Sequence, residues 1–230
     1  MKFIIHGDFH GYFENLYALQ ELHNPETAII CLGDTGINYF LNDIDESKKE
    51  RLNSLGCYLY LVRGNHEMRP EHLKNIQDFN DNNVNGIVMY EPQFPNIRYF
   101  KDGGEYIING KKTLVIGGAY SVDKWHRLAN DYTWFEDEQL STLERHIISA
   151  HTRGKTYDVL LSHTCPFRFQ PTFLFLGTIN QNNIDNSMEL WLDKIWNNAN
   201  IKEIYFGHYH GDYELGDGIH LCYEGWYDWN

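Results

Sequence analysis

Residues 2–11 read KFIIHGDFHG, an apolar run that ends in a glycine-flanked turn with an aspartate and a histidine. The apolar run, residues 3–5, predicts a short buried strand, and Gly7 predicts the turn that ends it. The same arrangement returns along the chain. Residues 28–32 precede Gly33-Asp34, residues 58–62 precede the stretch 64–67, and two further apolar runs precede His163 and the stretch 207–210. Five predicted strands therefore end in polar residues that could bind a ligand.

Helix-like segments separate the first three of these strands. Residues 13–22 carry apolar side chains at helical spacing, and residues 45–55 form a charged segment with Gly56 just past its end. Strands that are joined through helices by right-handed crossovers lie parallel in one sheet. Ligands of open α/β sheets bind at the carboxyl ends of the strands, so we expect the five polar turns to converge on one site.

The middle of the chain predicts a second, more antiparallel sheet. Its strands are residues 98–100, 105–108 and 112–116, and Asn109-Gly110 favours a hairpin between two of them. The remaining elements are helices at 136–150 and 188–196, strands at 159–161 and 203–206, and a closing hairpin of residues 212–215 and 219–223. Residues 166–186 lack a pattern and predict a long surface loop of the kind that is often functional. We therefore predict an α/β fold, a four-layer α/β/β/α sandwich of two mixed sheets flanked by helices, in a single domain of residues 1–230.

The composition limits the function. The 230 residues include 19 Lys and Arg against 32 Asp and Glu, a net charge of -13, which argues against tight binding to long duplex nucleic acid. The four cysteines form no C-x-x-C pair, so we expect reduced core residues in a cytoplasmic protein. No apolar run approaches the length of a membrane span, and we expect no membrane association.

The residues that follow the strands form a typical set of metal ligands. They are two carboxylates, four imidazoles and one amide: Asp8, Asp34, His10, His163, His208, His210 and Asn65. Divalent ions of hard or borderline character accept this mixture, and no thiolate is present to select a soft metal. Seven ligands are too many for one tetrahedral zinc and suit two ions that share a bridge. We expect Mn²⁺ first, with Fe or Zn as alternatives.

The five motifs, in this order, resemble those of the calcineurin-like metallophosphoesterases. They are Asp8-x-His10, Gly33-Asp34, Gly64-Asn65-His66-Glu67, His163 and Gly207-His208-x-His210. The resemblance implies the same two-sheet sandwich. It also implies that Asp8, His10 and His210 hold one metal, that Asn65, His163 and His208 hold the other, and that Asp34 bridges. His66 would act beside the ions as an acid or as a group that stabilises the phosphate.

Two stretches resemble one branch of that family more closely. Residues 7–11 and 63–67 are similar to the serine/threonine phosphatases and dinucleoside polyphosphate hydrolases. However, Asp34 is followed by Thr35-Gly36-Ile37-Asn38 instead of the Val-Asp-Arg-Gly type of continuation, so the phosphate-binding arginine of that branch is missing at this position.

The expected reaction is the hydrolysis of a phosphate ester by a hydroxide that bridges the two ions, with His66 as the catalytic acid. Monoesters, diesters, nucleotides and nucleic acid ends are all candidate substrates, with a small phosphorylated molecule or nucleotide as the expected partner. Arg63, Glu67 and Arg127 are candidate substrate contacts. Arg63 and Glu67 could instead orient ligands or form an ordinary ion pair, and Arg127 could lie in a solvated surface loop. The alternative functions are a non-catalytic protein-binding scaffold on the same fold and a nuclease.

Overall fold

Strands of the first sheet lie in the order β13-β1-β2-β3-β6-β5-β4 in the computed structural model, which describes residues 1–229. The strands are β1 (Lys2–His6), β2 (Thr27–Cys31), β3 (Tyr58–Leu61), β4 (Gln77–Asp81), β5 (Gly86–Tyr90), β6 (Ile97–Tyr99) and β13 (Tyr227–Trp229). Strands β1, β2, β3 and β6 are parallel, and antiparallel strands complete both edges.

The second sheet has the order β11-β12-β10-β9-β8-β7. Its strands are β7 (Gly104–Ile108), β8 (Lys111–Ile116), β9 (Tyr157–Ser162), β10 (Ile201–Phe206), β11 (Tyr213–Gly216) and β12 (Ile219–Leu221). Four central strands are parallel, and an antiparallel strand lies at each edge. Both sheets are thus mixed, as predicted.

Helices cover the outer faces of the two sheets. They are α1 (Glu14–Ala18), α2 (Asp43–Asn53), α4 (Thr142–Thr152) and α5 (Ser187–Asn198), whereas α3 (Lys124–Ala129) has no buried residue. Helix α2 begins after Asn42, whose side chain accepts a hydrogen bond from the Ile44 N–H, and α4 begins with a capping box of Ser141 and Glu144. None of the helices within residues 1–229 is both long and apolar enough to cross a membrane.

Alternation along the strands divides the core into three apolar layers. In β3, Leu59 and Leu61 face a cluster that includes Leu16 of α1 and Leu52 of α2, whereas Tyr60 faces the layer between the sheets. Successive side chains of a strand point to opposite faces, so each sheet buries both of its faces. The layer between the sheets joins residues such as Ile5 and Ile30 to Val159 and Leu161 of the second sheet.

The other face of the second sheet packs against helices. Leu114 and Leu160 contact the apolar side of α5 through Trp191 and Leu192, in a cluster that also includes Ile148 of α4. Helices, sheet, sheet and helices therefore follow one another, and the predicted four-layer sandwich is confirmed.

Several predicted elements are corrected. Residues 98–100 belong to the first sheet, because β6 pairs parallel with β3 at Leu59 and Ile97. The hairpin of β4 and β5 and the strand β13 were not predicted. Predicted helix 13–22 is only α1 followed by a short 3-10 turn, and helix 136–150 starts later because the capping box at Ser141 sets its first turn. The segment 166–186 contains three short 3-10 turns.

Candidate metal centre

The loops that follow β1, β2, β3, β9 and β10 meet at the carboxyl ends of the two sheets. Strand register aligns the first three loops, since His6 pairs with Cys31 and Cys31 with Leu61. Hydrogen bonds then join the two sheets: the His163 Nδ1–H donates to the Leu32 carbonyl at 2.7 Å, and the His208 N–H donates to Asp8 Oδ2 at 3.0 Å.

Four of the predicted ligands have an unusual backbone conformation. His10, Asp34, His208 and His210 have φ values of 49°, 44°, 67° and 51°. This left-handed region is unfavourable for residues with a Cβ atom, by about 1–2 kcal/mol each, and such strain concentrates at functional sites.

The first group of ligands consists of Asp8, His10 and His210. The His10 and His210 Nε2 atoms lie 2.9 Å apart, and Asp8 Oδ2 lies 3.8 and 3.5 Å from them, respectively. Nitrogen and oxygen ligands at about 2.0–2.2 Å from one ion stand roughly 3 Å from each other, so these separations fit a shared cation. Burial lowers the pKa of His10 to about 4 and also lowers that of His210, which leaves their nitrogen lone pairs free for a metal.

The second group contains His163, Asn65 and Asp34. The His163 Nδ1–H donates to the Leu32 carbonyl, and Nε2 lies 2.8 Å from Asn65 Oδ1 and 3.6 Å from Asp34 Oδ2. Burial lowers the pKa of His163, but the charges of Asp34 and Asp8 together outweigh burial and raise this pKa to about 9. A cation bound here would take the place of the proton on Nε2, and an imidazole nitrogen, an amide oxygen and a carboxylate oxygen form a donor set that divalent ions accept. Asp8 also lies within ligand distance of Asp34 and His163, and thus belongs to both groups.

Buried negative charge needs compensation at this centre. Burial, offset in part by the charge of His163, raises the pKa of Asp8 to about 8. Burial disfavours ionised Asp34 too, but the charges of His163 and His66 outweigh it and hold its pKa well below the ordinary range. His208 is buried as well, which holds its pKa well below its usual value. Bound cations would let both carboxylates ionise together.

Glycines allow the loops to approach the ligands closely. A Cβ atom on Gly64 would overlap Asp34 Oδ1, and one on Gly207 would overlap Asp8 Oδ1. Only glycine fits at these two positions. The glycines of the motifs are therefore part of the geometry of the site.

His66 faces a cavity of 160 Å³ beside these groups instead of joining either one. Its Nε2 lies 4.0 Å from Asp34 Oδ2 and 3.4 Å from the Arg127 Nη2. Arg127 is held by Asp123 at 2.8 Å and by the Tyr39 hydroxyl at 3.0 Å. The predicted alternative for Arg127, a solvated loop, does not fit this placement on α3, since the guanidinium lines the cavity with Lys48.

A comparison with known protein families matches residues 1–212 to the calcineurin-like phosphoesterases. The chain belongs to that family. It is accordingly a metal-dependent phosphoesterase, and the predicted resemblance is confirmed. Members of this family typically depend on two metal ions, and the ligand groups described above are the candidate positions for them.

Solved structures share the fold at low sequence identity. The phosphopantetheinyl hydrolase of Mycobacterium tuberculosis is 14% identical, with 96% of this chain and 88% of that chain covered and a TM-score of 0.51. A protein of Thermus thermophilus is 14% identical, with 97% and 89% covered and a TM-score of 0.50. These two similarities concern the fold alone. None of the curated proteins matches the chain.

Arg63 and Glu67, predicted as substrate contacts, lie in buried structural positions in this phosphoesterase. Arg63 donates to Asp102 Oδ2 at 2.9 Å and to the carbonyls of Glu138 and Gly117 at 2.7 and 3.2 Å. Glu67 accepts hydrogen bonds from the N–H groups of Gly64 and Thr35 at 2.8 and 3.2 Å. These contacts fit the predicted alternative, in which Arg63 and Glu67 orient the ligand loops. Their role as substrate contacts stays a prediction.

Two residues that support Asn65 were not predicted. The Ser121 hydroxyl accepts a hydrogen bond from Asn65 Nδ2 at 2.9 Å and donates in turn to Glu138 Oε2. The relay directs Asn65 Oδ1 toward His163, and the position of a ligating oxygen is commonly set in this way. Because 56 residues separate Ser121 from Asn65, no local sequence pattern reveals the pair.

Proposed function

We propose that this phosphoesterase is a dinuclear hydrolase of small phosphate esters. The convergence of six donor side chains from five loops into two groups, with Asp8 common to both, carries the proposal. Asp8, His10 and His210 would hold one ion, and Asn65, His163 and His208 the other. Asp34 is proposed as the bridging ligand because the family resemblance implies that role, and Asp8, which lies in both groups, is the alternative bridge.

The side chains named above would hold the two divalent ions, and bound ions of this kind would supply a nucleophile by lowering the pKa of a coordinated water molecule to near neutrality. On the side of the leaving group, residues of the chain would position the substrate and supply positive charge. His66 and Arg127 face the same small cavity, where the guanidinium can donate to phosphate oxygens and the imidazole can give a proton to the departing oxygen.

The metals and the substrate are also proposals. The donor set combines carboxylates, imidazoles and an amide without thiolate, which suits Mn²⁺ first and Fe or Zn next. A net charge of -13 disfavours long duplex nucleic acid, so a small phosphorylated molecule or a nucleotide is the proposed substrate. The intact ligand set argues against a scaffold without catalysis.

Metal content and turnover test the proposal together. The purified chain is loaded with Mn²⁺, and elemental analysis is expected to give two ions per chain. Hydrolysis of p-nitrophenyl phosphate and of its bis-ester is then measured for the wild type, His163→Ala and His146→Ala. His146 is an exposed histidine of α4, and its variant is the matched control. A stoichiometry of one or zero after loading, or equal activity of the two variants, would contradict the proposal.

A further inference from the structure

A second cavity borders the metal ligands. It has a volume of 340 Å³, compared with 160 Å³ for the cavity beside His66. One side is formed by His208, Tyr209 and His210, and the other by the segment 166–186 together with the start of α5. Cavities that bind small molecules in proteins have volumes of about 300–1,000 Å³, so this cleft is large enough for an organic group.

The walls of this cleft are mainly apolar. The segment 166–186 contributes Leu174, Leu176, Ile179 and Ile184. Within the described residues 1–229, the cleft is lined by no Lys or Arg, whereas Lys48 and Arg127 line the cavity beside His66. No cation of the cleft would compensate the charge of a second phosphate, so a phosphate is unfavourable there. An uncharged apolar group would be stabilised in the cleft because its surface leaves water.

Glu189 adds one polar feature to the apolar walls. It lies on α5, is 3% exposed and lines the cleft. Its Oε1 atom accepts a hydrogen bond from the Thr164 hydroxyl at 2.8 Å, while its Oε2 atom is buried and has no hydrogen-bond partner in the described part of the chain. Buried polar atoms of native proteins nearly always have a partner, so a donor from a bound molecule would complete this site.

We infer that the cleft binds the organic group of the substrate and that this group is uncharged, largely apolar and carries a hydrogen-bond donor. A hydroxyl, an aromatic amine or an amide N–H would reach Glu189 Oε2, while the phosphate lies on the metal ligands. The inference rests on the proposed function, which places the phosphate at those ligands, and it narrows the substrate to an ester with a single phosphate and such a group.

Phosphonates that are not hydrolysed test this inference by binding alone. Dissociation constants are measured calorimetrically on the Mn²⁺-loaded chain for methylphosphonate, benzylphosphonate and 4-aminobenzylphosphonate. Benzylphosphonate is expected to bind at least about 10-fold more tightly than methylphosphonate, because the phenyl ring leaves water. The amino group is expected to add about 5- to 10-fold through its hydrogen bond to Glu189.

Variants assign these preferences to the cleft. Ile179→Asp is expected to abolish the preference for the benzyl group, while the matched control Ile147→Asp, on the exposed side of α4, retains it. Glu189→Met keeps the length of the side chain and is expected to remove only the contribution of the amino group. Equal binding of all three phosphonates, no binding of any of them, or the same loss in both isoleucine variants would overturn the inference.

The proposed function can fail separately. If the same protein preparation does not hydrolyse p-nitrophenyl phosphate but shows the preference for the benzyl group, the cleft binds as inferred and only the reaction is wrong. If hydrolysis proceeds while the preference is absent, the reaction stands and the inference about the cleft is wrong.

Discussion

Glu189 provides a stability prediction that can be worked out from the structure. Its carboxyl group is 3% exposed, and only one of its oxygens has a hydrogen-bond partner. Burial raises its pKa from an ordinary 4.5 to about 7; the Thr164 hydroxyl and Arg145 act against this rise, and Asp185 adds to it. The group is therefore more easily protonated in the folded chain than in the unfolded chain.

The sign of the pH effect follows from that difference. Between pH 4.5 and 7 the unfolded chain has already lost the proton that the folded chain still holds, so the free energy of unfolding falls as the pH rises through this window. Above this window the Glu189 carboxyl is ionised in both the folded and the unfolded chain, so it no longer changes the free energy of unfolding as the pH rises further. At 1.36 kcal/mol per pH unit, the loss amounts to about 3 kcal/mol.

Glu189→Gln replaces the carboxyl with a neutral amide of the same shape. We expect the variant to match the wild type at pH 4.5 and to be up to about 3 kcal/mol more stable at pH 8. Urea unfolding at a series of pH values between 4.5 and 8, at one fixed Mn²⁺ concentration, measures the difference between the two proteins. Titration of the metal ligands changes both proteins equally and cancels in that difference.

Glu71→Gln is the matched control, because Glu71 is exposed and the variant removes a carboxylate from the surface instead of from the interior. A difference between Glu189→Gln and the wild type that does not grow with pH would refute the reasoning. It would mean that the buried carboxyl is protonated throughout the range or has a partner that compensates its charge.

Three further predictions concern the site and the core. His66→Ala is expected to keep both ions in elemental analysis. Its activity on alkyl phosphates is expected to fall about 10²–10⁴-fold, and its activity on nitrophenyl esters much less, because a nitrophenolate needs no acid to depart. Loss of an ion would make His66 a ligand. Asp34→Asn is expected to bind less Mn²⁺ than Asp8→Asn, because it would lose a bridge, and the opposite order would make Asp8 the bridging ligand. Lys49→Met breaks the buried ion pair with Glu91, at 2.9 Å, and is expected to lower the free energy of unfolding by about 3–5 kcal/mol in urea titrations; an unchanged midpoint would contradict this.

The two cavities give the centre an asymmetry that motif analysis does not predict. Lys48 and Arg127 line the cavity on one side, and apolar residues of the segment 166–186 line the cleft on the other. A substrate with one charged and one apolar end would bind in a single orientation. The pattern of candidate ligands marks the reaction centre, whereas the proposed choice of ester rests on these flanking surfaces.

Local sequence patterns determined the central strands and the candidate ligand set. Apolar runs such as residues 28–32 end at polar turns, and parallel strands in register bring turns to one edge, so the convergence of Asp8, Asp34 and Asn65 follows from the order of motifs. Such features depend on neighbours within a few residues of one another, and a sequence records these directly.

Only the tertiary structure decided the contacts between distant parts of the chain. Arg63 and Asp102, or Asn65 and Ser121, are separated by 39 and 56 residues, and neither pair has a local pattern. Edge strands such as β13 were not predicted from the sequence either, because the position of an edge strand depends on which neighbouring strand has free backbone groups. The cleft with Glu189 is formed only when α5 packs beside the loop of residues 166–186, and burial there gives an ordinary glutamate its unusual pKa.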